Sequence, residues 1–144
     1  MLPTEQIKPT PPELRNRIQK FIDWGKAHDD GSSESFRMEH VFHAGCYART
    51  VFIPKGVIFA SDCIKIPTIL IVQGHAVFTD TENTFRIHGY RVLTGAPMRQ
   101  SIVRTLDDTF FTMVFATKAK TQTEAESEFA LHPDQLLSIK ESPL

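Results

Sequence analysis

Two cysteines, one tryptophan and seven glycines are all that the 144 residues hold of those types. Two cysteines are too few for a disulfide scaffold, and neither Cys46 nor Cys63 sits in a CxxC pair. They read as small hydrophobes in a reducing cytosol, with a bridge between them left open. No apolar run approaches the roughly 20 residues of a membrane helix. The longest purely aliphatic stretch, Ile69-Leu70-Ile71-Val72, has the length of a strand. The first residues lack a basic start followed by an apolar core, so export by a signal peptide is not expected. One-sided charge is missing too. The 16 basic and 17 acidic side chains balance, which gives no broad pull toward nucleic acid or an anionic membrane. There is no G-x-S-x-G, no glycine-rich phosphate loop and no HExxH, so the commonest signatures of serine hydrolysis, nucleotide binding and zinc proteolysis are absent.

What is present suffices for one folded domain. A chain 41% hydrophobic at this length buries a sizeable core, and wholesale disorder is excluded. Three regions differ in periodicity. Residues 1–10, rich in proline and polar groups, are expected to be loosely held. Thr10-Pro11-Pro12-Glu13 reads as a helix start, with Thr10 as cap, Pro11 at the first helical position and Glu13 completing a capping box. Leu14, Ile18, Phe21 and Ile22 then form an apolar stripe opposite Arg15, Arg17, Gln19, Lys20 and Asp23, and the helix is expected to end near Ala27 or His28. Asp29-Asp30-Gly31-Ser32-Ser33 reads as a linker.

From Met38 to Thr117 short β-rich runs alternate with turn residues, as in a sandwich or barrel. The expected strands are 38–43, 46–53, 65–72, 75–79, 84–87, 90–93, 101–105 and 109–117. Gln73-Gly74 and His88-Gly89 are read as turns between them, and Thr81-Glu82-Asn83 as a hairpin turn. Phe110-Phe111 sets one ring on each face of its strand. Eight strands with no helix between them give an all-β fold, a jelly roll or related barrel. The organisation is then an N-terminal tail, helix and linker over 1–35, a barrel over 36–120 and a polar C-terminal tail with short helix over 121–144, Pro133 starting one helical turn.

The stretch from Glu39 to Gly56, with Glu39-His40, Gly45, Tyr47, Arg49 and Ile53-Pro54-Lys55-Gly56, resembles the opening of small cupin-like proteins encoded by tailed bacteriophages and prophages. Gly74 also fits the turn between the two motifs of that family. The resemblance covers residues 38–117 and implies a double-stranded β-helix. It implies as well a homodimer, and work in the infected host's cytoplasm or in the virion. Family members hold a metal with histidines and a carboxylate. Counting from Gly56, those slots fall on Asp62, Ile64 and Thr68 or Ile69, and the last histidine slot falls on Ile102, with Arg99 where a glycine would stand. Only Asp62 among them can ligate a cation, so neither a metal nor any other cofactor is expected.

The candidate ligand- or partner-binding residues are Glu39, His40, Tyr47, Arg49, Asp62 and Arg104; none is read as catalytic. Tyr47, Arg49, Val51 and Ile53 share one face of their strand. An arginine there sits at the barrel rim, paired with a carboxylate such as Glu39, or reaches a ligand, and the rim pair is the preferred reading. His40, His75 or His88 joining Cys46 or Cys63 around zinc would need a coincidence of folding, since the spacing of a structural zinc site is missing. The arginines scatter over several strands rather than cluster, which argues against a nucleic-acid groove. The expected function is binding without catalysis: of a phage or host protein, of a second copy, or of a small ligand in the barrel mouth. A virion structural or accessory protein is one alternative. An enzyme with a rebuilt site using Asp62, His40 or Tyr47 as acid or base is the other.

Overall fold

The computed structural model describes residues 6–28, 36–80, 83–136 and the backbone of 141–143. In chain order the elements are β1 (Gln6–Ile7), α1 (Pro12–Ala27), β2 (Phe36–His43), β3 (Cys46–Ile53), β4 (Ile58–Ala60), β5 (Thr68–Asp80), β6 (Asn83–Gly95), β7 (Ile102–Thr105), β8 (Thr109–Ala116), α2 (Gln122–Phe129), α3 (Pro133–Leu136) and β9 (Glu141–Pro143). The linker reading at 29–33 and the turn at 81–82 lie outside the described residues.

The strand pairs nest. β5 pairs with β6, β4 with β7 and β3 with β8, all antiparallel. A chain whose pairs nest in this way is a two-stranded ribbon rolled upon itself, which is the jelly-roll arrangement. β2 continues the wall beside β3, while β1 and β9 add parallel edge pairs to β6 and β2. The hydrogen-bonded path runs β1-β6-β5-β8-β3-β2-β9 and does not close on itself.

The four runs expected over 65–93 are two long bent strands. β5 pairs with β8 over Ile69–Gln73, then with β7 over Ala76–Thr79. The changeover falls at Gly74, which lies directly opposite Gly89 on β6. Both have positive φ, 145° and 95°, so the hairpin bends at two facing glycines. Close approach decides Gly74 as well, since a Cβ there would lie 2.4 Å from Thr109 Oγ1 and 2.6 Å from the Asp108 carbonyl. Glycine between two β-rich runs marks a turn or a kink with equal force in sequence, and here it marks a kink.

The helix start also departs from expectation. Pro12, not Pro11, opens α1, and no side chain caps it. Thr10 is committed elsewhere: its hydroxyl accepts from the Gln100 amide at 2.8 Å and donates to the Gln100 carbonyl at 3.0 Å. Residues 6–10 are therefore held, not loose, through β1 and this bond. Of the apolar stripe, Leu14 and Ile18 are buried, Ile22 is half-buried and Phe21 is exposed. No helix among the described residues is long and apolar enough to cross a membrane.

Two apolar clusters fill the roll. One, around Val72, Phe78, Ile87, Leu93 and Val103, lies between the bent hairpin and β7. The other joins Tyr47, Met113 and Phe115 to Ala125, Phe129, Ala130 and Leu136 from the C-terminal segment. Residues after 120 are thus part of the core. Burying Phe129 alone is worth about 2–3 kcal/mol, and its ring packs edge-on against Phe115.

Candidate functional site

A cavity of about 180 Å³ lies inside the roll, walled by β2, β3, β5 and β8 on one side and by β4 and β7 on the other. Phe129 of α2 and Leu136 of α3 form its cover. Most of the wall is aliphatic or aromatic. The charged groups on it are Arg49, Asp62 and Arg99.

Arg49 reaches the interior because β3 alternates: Tyr47, Arg49, Val51 and Ile53 point inward, as the strand period requires. The rim pair with Glu39 is corrected by the register. Glu39 stands opposite Thr50, on the outer face, whereas Arg49 stands opposite His40. Arg49 is instead buried, at 6% exposure, with its guanidinium 3.1 Å from Glu126 Oε1 of α2. Gln122 donates to the same carboxylate oxygen at 2.8 Å, and the Phe129 ring lies 5.5 Å from the guanidinium carbon. Ion pair and ring together fasten α2 over the mouth.

Asp62 does the same for the next turn. Its carboxylate accepts from the His132 amide at 2.9 Å and from Gln135 Nε2 at 2.8 Å, and it lies 3.1 Å from the His132 ring Nδ1. The expected helical turn starting at Pro133 forms on this anchor. Beside it, the Cys63 thiol is fully buried; burial pushes its pKa up, opposed by the Arg15 guanidinium of α1, which bonds it. Cys46 and Cys63 are both free thiols.

His40 and Tyr47 meet each other, ring Nδ1 to hydroxyl at 2.6 Å, with nearly parallel rings. Tyr47 is fully buried, and neither residue lines the cavity. Arg104 is exposed on β7 opposite Ile58 and Val77, far from this set. Of the six candidates, then, Arg49 and Asp62 share the cavity, His40 and Tyr47 form a separate pair, and Glu39 and Arg104 face solvent.

Arg99 was missed by sequence reasoning, which counted it among scattered arginines. It is 5% exposed. Its guanidinium donates to the Ala96 carbonyl at 3.1 Å, to the Ile66 carbonyl at 3.4 Å and to the Thr68 hydroxyl. Burial pulls its pKa down to about 10. Any Cβ at Gly95 would sit 2.4 Å from the Arg99 guanidinium carbon, so this glycine is the cradle for that side chain, a relation the sequence does not display.

The side chains do not fit the divalent cation that the family resemblance would bring. Both Asp62 oxygens serve the C-terminal segment, Thr68 serves Arg99, and Ile64 offers no donor. Among the described residues no three of His, Cys, Asp and Glu gather as a ligand set.

No protein-family model matches the chain, and no curated protein matches its sequence. Solved structures similar to it in shape include a cupin-2 domain protein from Shewanella frigidimarina, at 6% identity and TM-score 0.47, covering 72% of this chain and 98% of that one. KdgF from Halomonas sp. aligns at 15% identity and TM-score 0.49, covering 65% and 92% respectively. The Cnp3 cupin domain of Schizosaccharomyces pombe aligns at 16% identity and TM-score 0.47, covering 62% and 68%.

Proposed function

We propose that this chain is a non-enzymatic, metal-free binding protein on a cupin-like roll, acting by protein–protein contact, with a second copy of itself as first partner. The observation that carries this reading is the outer face of the five strands β2-β3-β8-β5-β6. Three cross-strand rows cover it: Val41-Ala48-Val114-Ile69-Thr94, Glu39-Thr50-Thr112-Ile71-Val92 and Arg37-Phe52-Phe110-Gln73-Tyr90. Ile69, Val92 and Tyr90 are 47%, 45% and 63% exposed and lie on two paired strands, so they form one patch rather than scattered residues.

Charge favours a copy of the same chain. Five strands about 4.8 Å apart and five residues at about 3.3 Å each span roughly 400 Å², about half of the roughly 800 Å² per partner in a standard interface. Only Arg37 and Glu39 are charged on these rows, and they are opposite in sign on one edge strand. A two-fold axis across the face therefore offers each charge a counterpart and sets apolar row on apolar row. A shallow depression of about 310 Å³ among Thr50, Ile71, Tyr90 and Phe110 gives the partner's side chains a place to seat. The place of work proposed from the Glu39–Gly56 resemblance is the phage-infected host's cytoplasm or the virion, with a phage or host protein as a further partner. An acid–base enzyme has less support, because His40 and Tyr47 lie off the cavity and Asp62 is held by the C-terminal segment.

Light scattering at several concentrations tests the reading. The expected result is a dimer that Ile69→Lys and Val92→Lys convert to monomer while leaving the urea midpoint nearly unchanged, because exposed substitutions cost less than about 0.5 kcal/mol. A wild-type monomer at all concentrations overturns it. A larger closed assembly broken by the same variants supports the virion alternative over the dimer.

A further inference from the structure

We infer that the interior cavity binds a small monocarboxylate whose apolar body is about the size of one ring, with the carboxylate held by Arg99. This stands independently of the outer-face contact.

The asymmetry lies between the two buried arginines that line the cavity. Arg49 has a carboxylate, Glu126, at 3.1 Å. Arg99 is as deeply buried, yet its hydrogen bonds go to two carbonyls and a hydroxyl, and among the described residues it has no carboxylate partner. A buried guanidinium without a counter-charge is costly, and the depressed pKa records that cost. Gly95 leaves the space in which the group sits, so the position is built rather than accidental.

The cavity supplies the rest of the ligand's description. Met38, Val51, Phe59, Phe111, Met113 and Phe129 wall a volume of about 180 Å³. A hydrophobic cavity of about 150 Å³ is large enough to take up benzene. Apolar walls hold water poorly, so an apolar body gains by entering while its anionic end meets the guanidinium fork. The charge of the ligand follows by elimination. Arg49 is paired with Glu126 and both Asp62 oxygens are engaged by His132 and Gln135, so Arg99 is the charged group of the lining left to meet a ligand, which suits one negative charge and disfavours an ammonium group.

Calorimetry with benzoate and with benzyl alcohol, at constant ionic strength in chloride, tests the inference on the wild-type protein. The expected result is one benzoate per chain, bound about ten-fold or more tightly than benzyl alcohol, which is the ratio a charged hydrogen bond supports. Carbon-13 methyl signals of Met38 and Met113 should move on saturation with benzoate. Arg99→Lys should weaken benzoate and leave benzyl alcohol unchanged. Filling the space with Val51→Phe should abolish both. Equal affinity for the two compounds, no saturable benzoate binding up to about 10 mM, or unmoved Met38 and Met113 signals would each overturn it. The wild-type comparison decides the matter even where Arg99→Lys does not fold.

Discussion

The two faces of β3 obey different rules. Inside, Tyr47, Arg49, Val51 and Ile53 mix an aromatic, a cation and two aliphatics, and each polar atom finds a specific partner: His40 for Tyr47, Glu126 for Arg49. Outside, Cys46, Ala48, Thr50 and Phe52 are uncharged and make generic contacts, a hydroxyl pair with Thr112 at 2.8 Å and a ring contact with Phe110 at 5.0 Å. The inner face is specified by contacts with distant parts of the same chain. Among the described residues the outer face has only these contacts within its own sheet, which is the basis of the proposed contact with a second copy. A buried polar group makes its fold unique only if satisfied, while an exposed apolar row costs little until it is covered.

The largest break in this contrast comes from halving the interior ion pair. Arg49→Met or Glu126→Gln alone should cost about 3–5 kcal/mol in urea unfolding, because each leaves a buried partner uncompensated. The double variant Arg49→Met, Glu126→Met should recover most of that loss. If the double variant is no better than either single, the pair is not the clasp that holds α2.

A smaller break is made at the bend that carries β5 and β6 from one wall to the other. Gly74→Ala meets both positive φ and the Thr109 and Asp108 atoms, and should cost about 3 kcal/mol. Gly89→Ala meets positive φ with open space around it, and should cost about 1 kcal/mol. Equal losses would show that the close approach to β8 does not matter.

The smallest effect sits beside the same bend. His75 stacks on His88 with ring centroids 4.2 Å apart. Desolvation, then His88 and Arg86, hold its pKa below the ordinary 6.5, with Asp107 opposing. The unfolded chain therefore takes up the proton first, so acidification through pH 6.5 favours unfolding, and the loss levels off once His75 is protonated in the folded state too. Proton titration followed by NMR should place His75 below 6.5, and His88→Gln should move it back toward that value. An unchanged midpoint in the variant would remove the neighbour from the explanation.

Much of the roll was readable from local pattern. The alternation in 46–53 put Tyr47, Arg49, Val51 and Ile53 on one face, which is the inward one, and Phe110 and Phe111 do take opposite faces, one exposed and one lining the cavity. The bends were not readable, since a glycine between β-rich runs carries no record of whether the chain turns back or merely swings. Nor was the cover. The segment over 121–144 reads as a polar tail because acidic and small residues outnumber its apolar ones, although Gln122, Ala125, Glu126 and Phe129 share one face of α2. Only Arg49, arriving from a strand 77 residues away, turns Glu126 into an interior group. Arg99 was hidden for the same reason, because one arginine among many shows its burial only when the walls around it are assembled.

By itself the sequence determined the β class, the two faces of β3 and the helix near the start, because these follow from residue type and short-range period. Tertiary structure alone decided that the C-terminal helices close the roll and, among the described residues, that Arg49 has a counter-charge and Arg99 has none, and that the outer face of β2-β3-β8-β5-β6 carries no covering element. Those properties depend on which distant residues meet, and a period of two or of 3.6 residues does not encode that.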